Sequence, residues 1–223
     1  GGMGVDIKSA EELFSAGVHI LTSGNHIWKK KEIYPYLEKN SSLVRPANYP
    51  KSAPGKGWFE WQNDAGLRAL IINLMGRVFM PSHVDDPFRC VDVILREHGS
   101  FSPVIVVDMH AEATSEKNAM GWYLDGRVSV VYGTHTHVQT ADERILPGGT
   151  AYITDLGMCG PLDSVIGIEK EPVIEGFLTQ LPQRFEVARD NVILQGAISD
   201  VDDATGKARR IRRVRFDWKG SEP

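Results

Sequence analysis

Apolar blocks of five to seven residues recur along the chain, each running into a short polar segment, with helix-like stretches between them. Residues 8–16 read as a helix, with Ser9 as N-cap, Glu12 three residues on as its capping-box partner, and Gly17 as the stop. The run Val18–Thr22 reads as a buried strand that ends at Ser23-Gly24-Asn25-His26, and a helix is expected from Trp28 to Leu37. Residues 41–57 hold three prolines and two glycines and read as loop. Residues 58–62 suit an exposed or edge strand, and Asn63–Gly66 a turn. Arg68–Leu74 is a further strand, ending at Met75-Gly76-Arg77, and Pro87–His98 is a helix. Pro103–Asp108 is a buried strand that ends at Met109-His110, and residues 121–127 read as helix or turn. Val128–Tyr132 is a strand ending at Gly133-Thr134-His135-Thr136-His137, and Ala151–Thr154 one ending at Asp155-Leu156-Gly157. Beyond about residue 180 the chain reads as β-rich, over 184–188, 191–199 and 208–216.

Continuous apolar strands alternating with helices predict an α/β fold whose sheets are covered on at least one face. Most candidate chemical groups fall in the loops after the strands. In open α/β sheets that is the rim where ligands bind.

The 223 residues suit one compact domain, taken here as 1–223. A net charge of -4 argues against a stable nucleic-acid partner and against membrane-surface binding. It does not exclude a small anionic substrate, because a metal ion can invert the local sign. Two cysteines do not make a disulfide framework and fit a reducing cytoplasm. No run reaches the roughly 18 apolar residues of a membrane span, and the chain does not open with a secretory signal.

The chemistry centres on His135-Thr136-His137. Histidines two apart on an extended segment face the same side and can share one metal ion or serve two. An isolated pair of this kind is more often a surface or core feature. This pair follows a strand and a glycine, in company with His110, which ends another strand. Asp108 and Glu112 could orient His110 or be simply solvated. Asn25 offers a neutral oxygen ligand, whereas an ordinary turn would use the same residue. His26 beside it could protonate a leaving alkoxide and neutralise phosphate charge. Arg45 and Arg77, both in expected loops, are candidate anion contacts, and structural ion pairs would explain them equally. His19, His83 and His98 read as structural or exposed. The run 208–216 reads as a strand with a solvated basic face.

Taken together, Gly24-Asn25-His26, the strand-end His110 and Gly133-Thr134-His135-Thr136-His137 resemble the motif series of the calcineurin-like metallophosphoesterases. The segments TSGNHIW, RPANYP, NLMGRVFM, DMHAEATSEK, GWYLDGRVS, GTHTHVQTADERILPGGTAYITDLGM and DSVIG are similar to the YmdB-like bacterial branch over nearly the whole chain. The resemblance implies a four-layer α/β/β/α sandwich of mixed sheets. It implies two divalent or transition metal ions, iron or manganese, with Asn25, His110 and His135 on one and His137 on the other. His26 would act as acid or phosphate stabiliser, and the substrate would be a small phosphodiester, with 2′,3′-cyclic nucleotides the leading class. The resemblance leaves room for a homo-oligomer. The family also carries a Gly-Asp and a Gly-Glu-Asn strand end that supply an Asp and a bridging Glu, and neither has a counterpart here. The chain opens at Gly1-Gly2-Met3-Gly4, like the turn after the second of them, so an N-terminally truncated domain is expected. Two rival readings follow. One is a capsule-synthesis-type relative, against which RPANYP and ERILPGG speak. The other is a non-catalytic binding or regulatory module with a single structural metal.

Overall fold

The structure is a computed structural model that describes residues 3–81 and 83–218; Gly1 and Gly2 of the expected opening turn lie outside the described residues. Helix α1 (Ile7–Ser15) starts one residue before the expected 8, but its cap lies three residues before the expected Ser9. Its N-cap is Asp6, whose carboxylate accepts a 2.8 Å hydrogen bond from the Ser9 amide, so Ser9 sits inside the helix. The strand expected over 18–22 shrinks to β1 (Leu21–Thr22), which pairs in parallel with β2 (Leu43–Val44). The helix expected from Trp28 to Leu37 is split into a 3₁₀ turn at Ile27–Lys29 and α2 (Ile33–Lys39). Pro35 explains the split. Inside a continuous helix it would remove an amide donor and clash with the preceding turn, but at the third position of α2 the missing donor is one that no intrahelical partner needs. Ile27, Ile33, Leu37 and Leu43 close a small core around these elements.

The main sheet contains β3 (Trp58–Gln62), β4 (Arg68–Met75), β5 (Ile105–His110), β6 (Val130–Thr134), β7 (Arg144–Ile145) and β8 (Ala151–Ile153), in the spatial order β3-β4-β5-β6-β8-β7. The four central strands run parallel, and both edge strands are antiparallel to their neighbours. Leu70, Ile72, Leu74, Ile105, Val107, Met109 and Val131 face α3 (Pro87–His98) and α4 (Thr114–Leu124), which contribute Val91, Ile94, Met120 and Leu124 to the core. On the other face, Val130 and Ala151 pack on Ala208, with Val106, Tyr132 and Ile211 around them. Ala208 and Ile211 belong to β11 (Ala208–Asp217), which forms an antiparallel sheet with β10 (Val192–Val201) and β9 (Gly160–Pro161). Cover on both faces is why the central strands are apolar at successive positions. The mixed α/β, multi-sheet architecture is the one the sequence predicts.

Helix α3 has the expected bounds because its signals are local: Pro87 opens it, and the Asp86 carboxylate accepts from the Phe88 and Arg89 amides. Helix α4 begins seven residues before the expected 121. It carries a buried Lys117 and a Gly121 pressed against Tyr152, where a Cβ would lie 2.5 Å from the ring, so it shows no simple apolar stripe. Helix α5 (Lys170–Thr179) falls where the sequence pattern predicts no element. The strand expected over 184–188 is only a bridge between Val187 and Ile168. Among the described residues, no helix is long and apolar enough to cross a membrane.

Candidate functional site

Because β4, β5, β6 and β8 are parallel, their carboxyl ends share one rim. His110 is the last residue of β5, and His135 and His137 follow β6 directly. The turn after β1 brings in Asn25 and His26. That turn lies flat on the His110 ring, since a Cβ on Gly24 would sit 2.2 Å from the imidazole; only glycine fits there. Three ligand-type atoms meet as a result. His110 Nε2 lies 2.9 Å from Asn25 Oδ1 and 3.2 Å from His135 Nδ1. The two rings stand edge to face, with centroids 4.9 Å apart.

The surroundings assign the protons. With Asp108 ionised, the Thr134 hydroxyl donates to its Oδ1 at 2.8 Å and so accepts from His110 Nδ1–H at 3.0 Å, which leaves a lone pair on His110 Nε2. His135 Nε2–H donates to the Glu112 carboxylate at 3.0 Å, which leaves a lone pair on Nδ1. Burial pushes the His110 pKa down to about 3, and the neighbouring His135 and Lys117 push the same way. Burial also lowers that of His135, against the opposing Glu112. Both shifts favour the neutral ring, and with both rings neutral three lone-pair atoms face one another with no proton among them. Such a set repels itself unless it shares a cation. Its spacings suit one, because ligands at bonds of about 2.1 Å stand roughly 3 Å apart. Among the described residues, no group of three or more His, Cys, Asp or Glu side chains gathers at metal-ligand spacing; here the third donor is an asparagine.

His137 is exposed and donates from Nδ1 to the Ile166 carbonyl at 3.0 Å, so its Nε2 is the free lone-pair atom. His26 is exposed and opens the 3₁₀ turn; burial, then Lys29 and His137, lower its pKa. His135 and His137 both have left-handed backbones, with φ of 97° and 64°.

Two expectations are corrected. Arg45 is buried, and its guanidinium donates to the carbonyls of Pro54, Pro46 and Ala53 at 3.0, 2.8 and 3.2 Å. It braces the proline-rich loop, with each of its three guanidinium nitrogens engaged by backbone and none turned to an anion. Glu112 pairs with His135 instead of orienting His110; that task falls to Asp108, acting through Thr134. Arg77 does lie in the loop two residues past the end of β4, but its guanidinium is engaged by Asp86 at 3.1 Å and its amide by the Glu116 carboxylate at 2.9 Å. Sequence reasoning missed Thr134, Lys117 and Asp155. The one signal available for Lys117 was a charge inside an otherwise poorly amphipathic helix.

A family model described as YmdB-like protein matches residues 1–214. A protein of Bacillus subtilis (strain 168) named 2′,3′-cyclic-nucleotide 2′-phosphodiesterase is 50% identical over 213 residues, covering 96% of this chain and 80% of that protein. A solved structure from Thermus thermophilus, described as a hypothetical protein, aligns with a TM-score of 0.90 at 42% identity, over 97% of this chain and 83% of that one. Another, described as a novel phosphatase of Mycoplasma pneumoniae, aligns with a TM-score of 0.88 at 37% identity, over 96% and 77%.

Proposed function

The chain belongs to the YmdB-like protein family, and from that premise and the rim geometry we propose that it is a metal-dependent phosphodiesterase acting on small diesters, 2′,3′-cyclic nucleotides first among them. The carrying observation is the trio of lone-pair atoms, Asn25 Oδ1, His110 Nε2 and His135 Nδ1, drawn together without a proton to share. These residues would hold one iron or manganese ion, and His137 would contribute to a second. Ions held there supply Lewis-acid charge for the phosphoryl oxygens and activation of the attacking water. His26 stands exposed next to Asn25 in the chain and delivers the proton that the leaving alkoxide needs. The exposure of His26 and His137 leaves that edge of the site open to a solvated diester. Two free cysteines, Cys90 and Cys159, suit a reducing cytoplasm.

Elemental analysis and diester turnover on the same preparations test this reading. His26→Ala should lower kcat by about 10²–10⁴-fold with metal content unchanged, and Asn25→Ala should lower metal content. A wild-type protein that takes up no Mn2+ and cleaves no 2′,3′-cyclic nucleotide would refute it. One ion per chain with no turnover would favour a metal-containing binding module.

A further inference from the structure

A buried ion pair adjoins the histidines, and the proposed chemistry gives it no role. Lys117 of α4 and Asp155, just past β8, are 1% and 0% exposed at their side chains, and Lys117 Nζ lies 2.8 Å from Asp155 Oδ2. Both close on Thr136, the residue between His135 and His137. Asp155 Oδ2 accepts from the Thr136 hydroxyl at 2.6 Å and from its amide at 3.2 Å, while Lys117 Nζ donates to the same hydroxyl at 3.0 Å. The other carboxylate oxygen accepts from the Gly157 amide at 2.8 Å. The lysine stem runs close past β6: a Cβ on Gly133 would stand 2.7 Å from Lys117 Cδ.

A buried lysine–carboxylate pair rarely contributes net stability, because desolvation offsets the attraction. A structural reason for keeping this one lies in the backbone it grips. His135 and His137 both have positive φ, a region that residues with a side chain hold only when the surroundings fix them there. Thr136 is clamped between them by hydroxyl and amide at once. We propose that Lys117 and Asp155 are positioning residues, which clamp Thr136 and so fix the backbone from which the His135 and His137 imidazoles project. The consequence for turnover rests on the phosphodiesterase reading; the clamp itself does not.

The test compares Thr136→Val, Thr136→Ser and the double variant Lys117→Met/Asp155→Asn in the full chain. In metal-free protein, amide exchange at position 136 and the 15N resonances of the His135 and His137 imidazoles report the loop directly. Exchange should speed up at least about tenfold in Thr136→Val, which loses both hydroxyl contacts and leaves the amide bond alone to hold the residue, and in the double variant, which loses the ion pair, with the imidazole resonances displaced. The amide of Val107 in β5 should not change, and Thr136→Ser, which keeps the hydroxyl, should match wild type. Titration with Mn2+ should show binding weakened by about 10–100-fold in the same two variants, with diester kcat falling while KM stays within about twofold. A folded Thr136→Val protein with unchanged exchange and imidazole resonances overturns the proposal, as does Thr136→Ser damage equal to that of Thr136→Val. If the double variant does not fold, the two Thr136 variants decide alone. If wild type neither binds Mn2+ nor cleaves diesters, the phosphodiesterase reading fails, while exchange and imidazole resonances still decide the clamp.

Discussion

Thr134→Val tests the tautomer argument on which the site rests. The substitution keeps the shape of the side chain and removes one hydroxyl. That hydroxyl accepts from His110 Nδ1 at 3.0 Å and donates to Asp108 Oδ1 at 2.8 Å. Asp108 is fully buried, and burial holds its pKa up at about 7 even with the hydroxyl present. Each buried polar group left without its partner costs about 1–3 kcal/mol, so two should cost about 2–4 kcal/mol, allowing for a second Asp108 contact from Thr22. The ring responds as well. With no acceptor at Nδ1, the His110 proton does better on Nε2, where Asn25 Oδ1 stands 2.9 Å away to receive it. That places a proton on the atom that must carry a lone pair, and Mn2+ binding should weaken by about 10–100-fold. Urea unfolding reads the stability change, 15N NMR of the imidazole reads the tautomer, and titration with Mn2+ reads the affinity. Thr134→Ser should behave as wild type. If Thr134→Val leaves Nε2 unprotonated and Mn2+ affinity within about twofold, the relay from Asp108 does not set the tautomer and the assignment is wrong.

Two other substitutions probe the frame around the site. Gly133→Ala would place a Cβ 1.8 Å from the Thr154 carbonyl oxygen; β6 and β8 would have to part by roughly 1.5 Å, at a cost of about 3 kcal/mol or more by urea unfolding, and a loss below about 1 kcal/mol would refute the close approach. Asp92 joins α3 to Tyr123 and Arg127 at the end of α4, and those hydrogen bonds, Tyr123 first, lower its pKa. A lowered carboxylate pKa stabilises the fold above the ordinary value near 3.8 and loses that contribution as pH falls through the folded value. Asp92→Asn should therefore cost under about 1 kcal/mol at pH 7, the group being partly exposed, and nothing at about pH 2; a cost that grows on acidification would reverse the sign and sink the argument.

What the sequence made legible divides by range. Helix α3 could be read to the residue because its cap, its proline and its apolar spacing all lie within its own twelve positions or next to them. The strand ends at His110 and His135 were legible because an apolar run followed by polar residues marks the rim. The pairing of those side chains was not, because it depends on register between strands. His110 lies opposite Thr134 only because β5 and β6 pair as they do, and no local pattern states that register. Arg45 and Glu112 mislead for the same reason: an arginine in a proline-rich loop and a glutamate beside a histidine look available until distant backbone and a second imidazole claim them.

The departures from ordinary rules are themselves informative, because several gather at this rim. Lys117, Asp155 and Asp108 are charged-type residues buried to 2% exposure or less. His135, His137 and Ile166 hold left-handed backbones within one connected set of contacts, whereas Phe79, Gln180 and Asn191 do so elsewhere, outside helices and strands. Asn73, opposite Asp108 in the sheet, is fully buried with neither side-chain polar atom bonded among the described residues. A fold under selection for stability alone would replace buried charges and unsatisfied amides with apolar groups of similar volume. Keeping them in β4 and β5, just past β8 and on α4 makes sense only if something there depends on polar groups held in fixed places. Asp108 reaches the lone-pair trio through Thr134, and Lys117 and Asp155 hold Thr136 next to His135. The structural cost and the proposed chemistry therefore point to the same rim by separate routes: one from burial and backbone strain, the other from proton accounting.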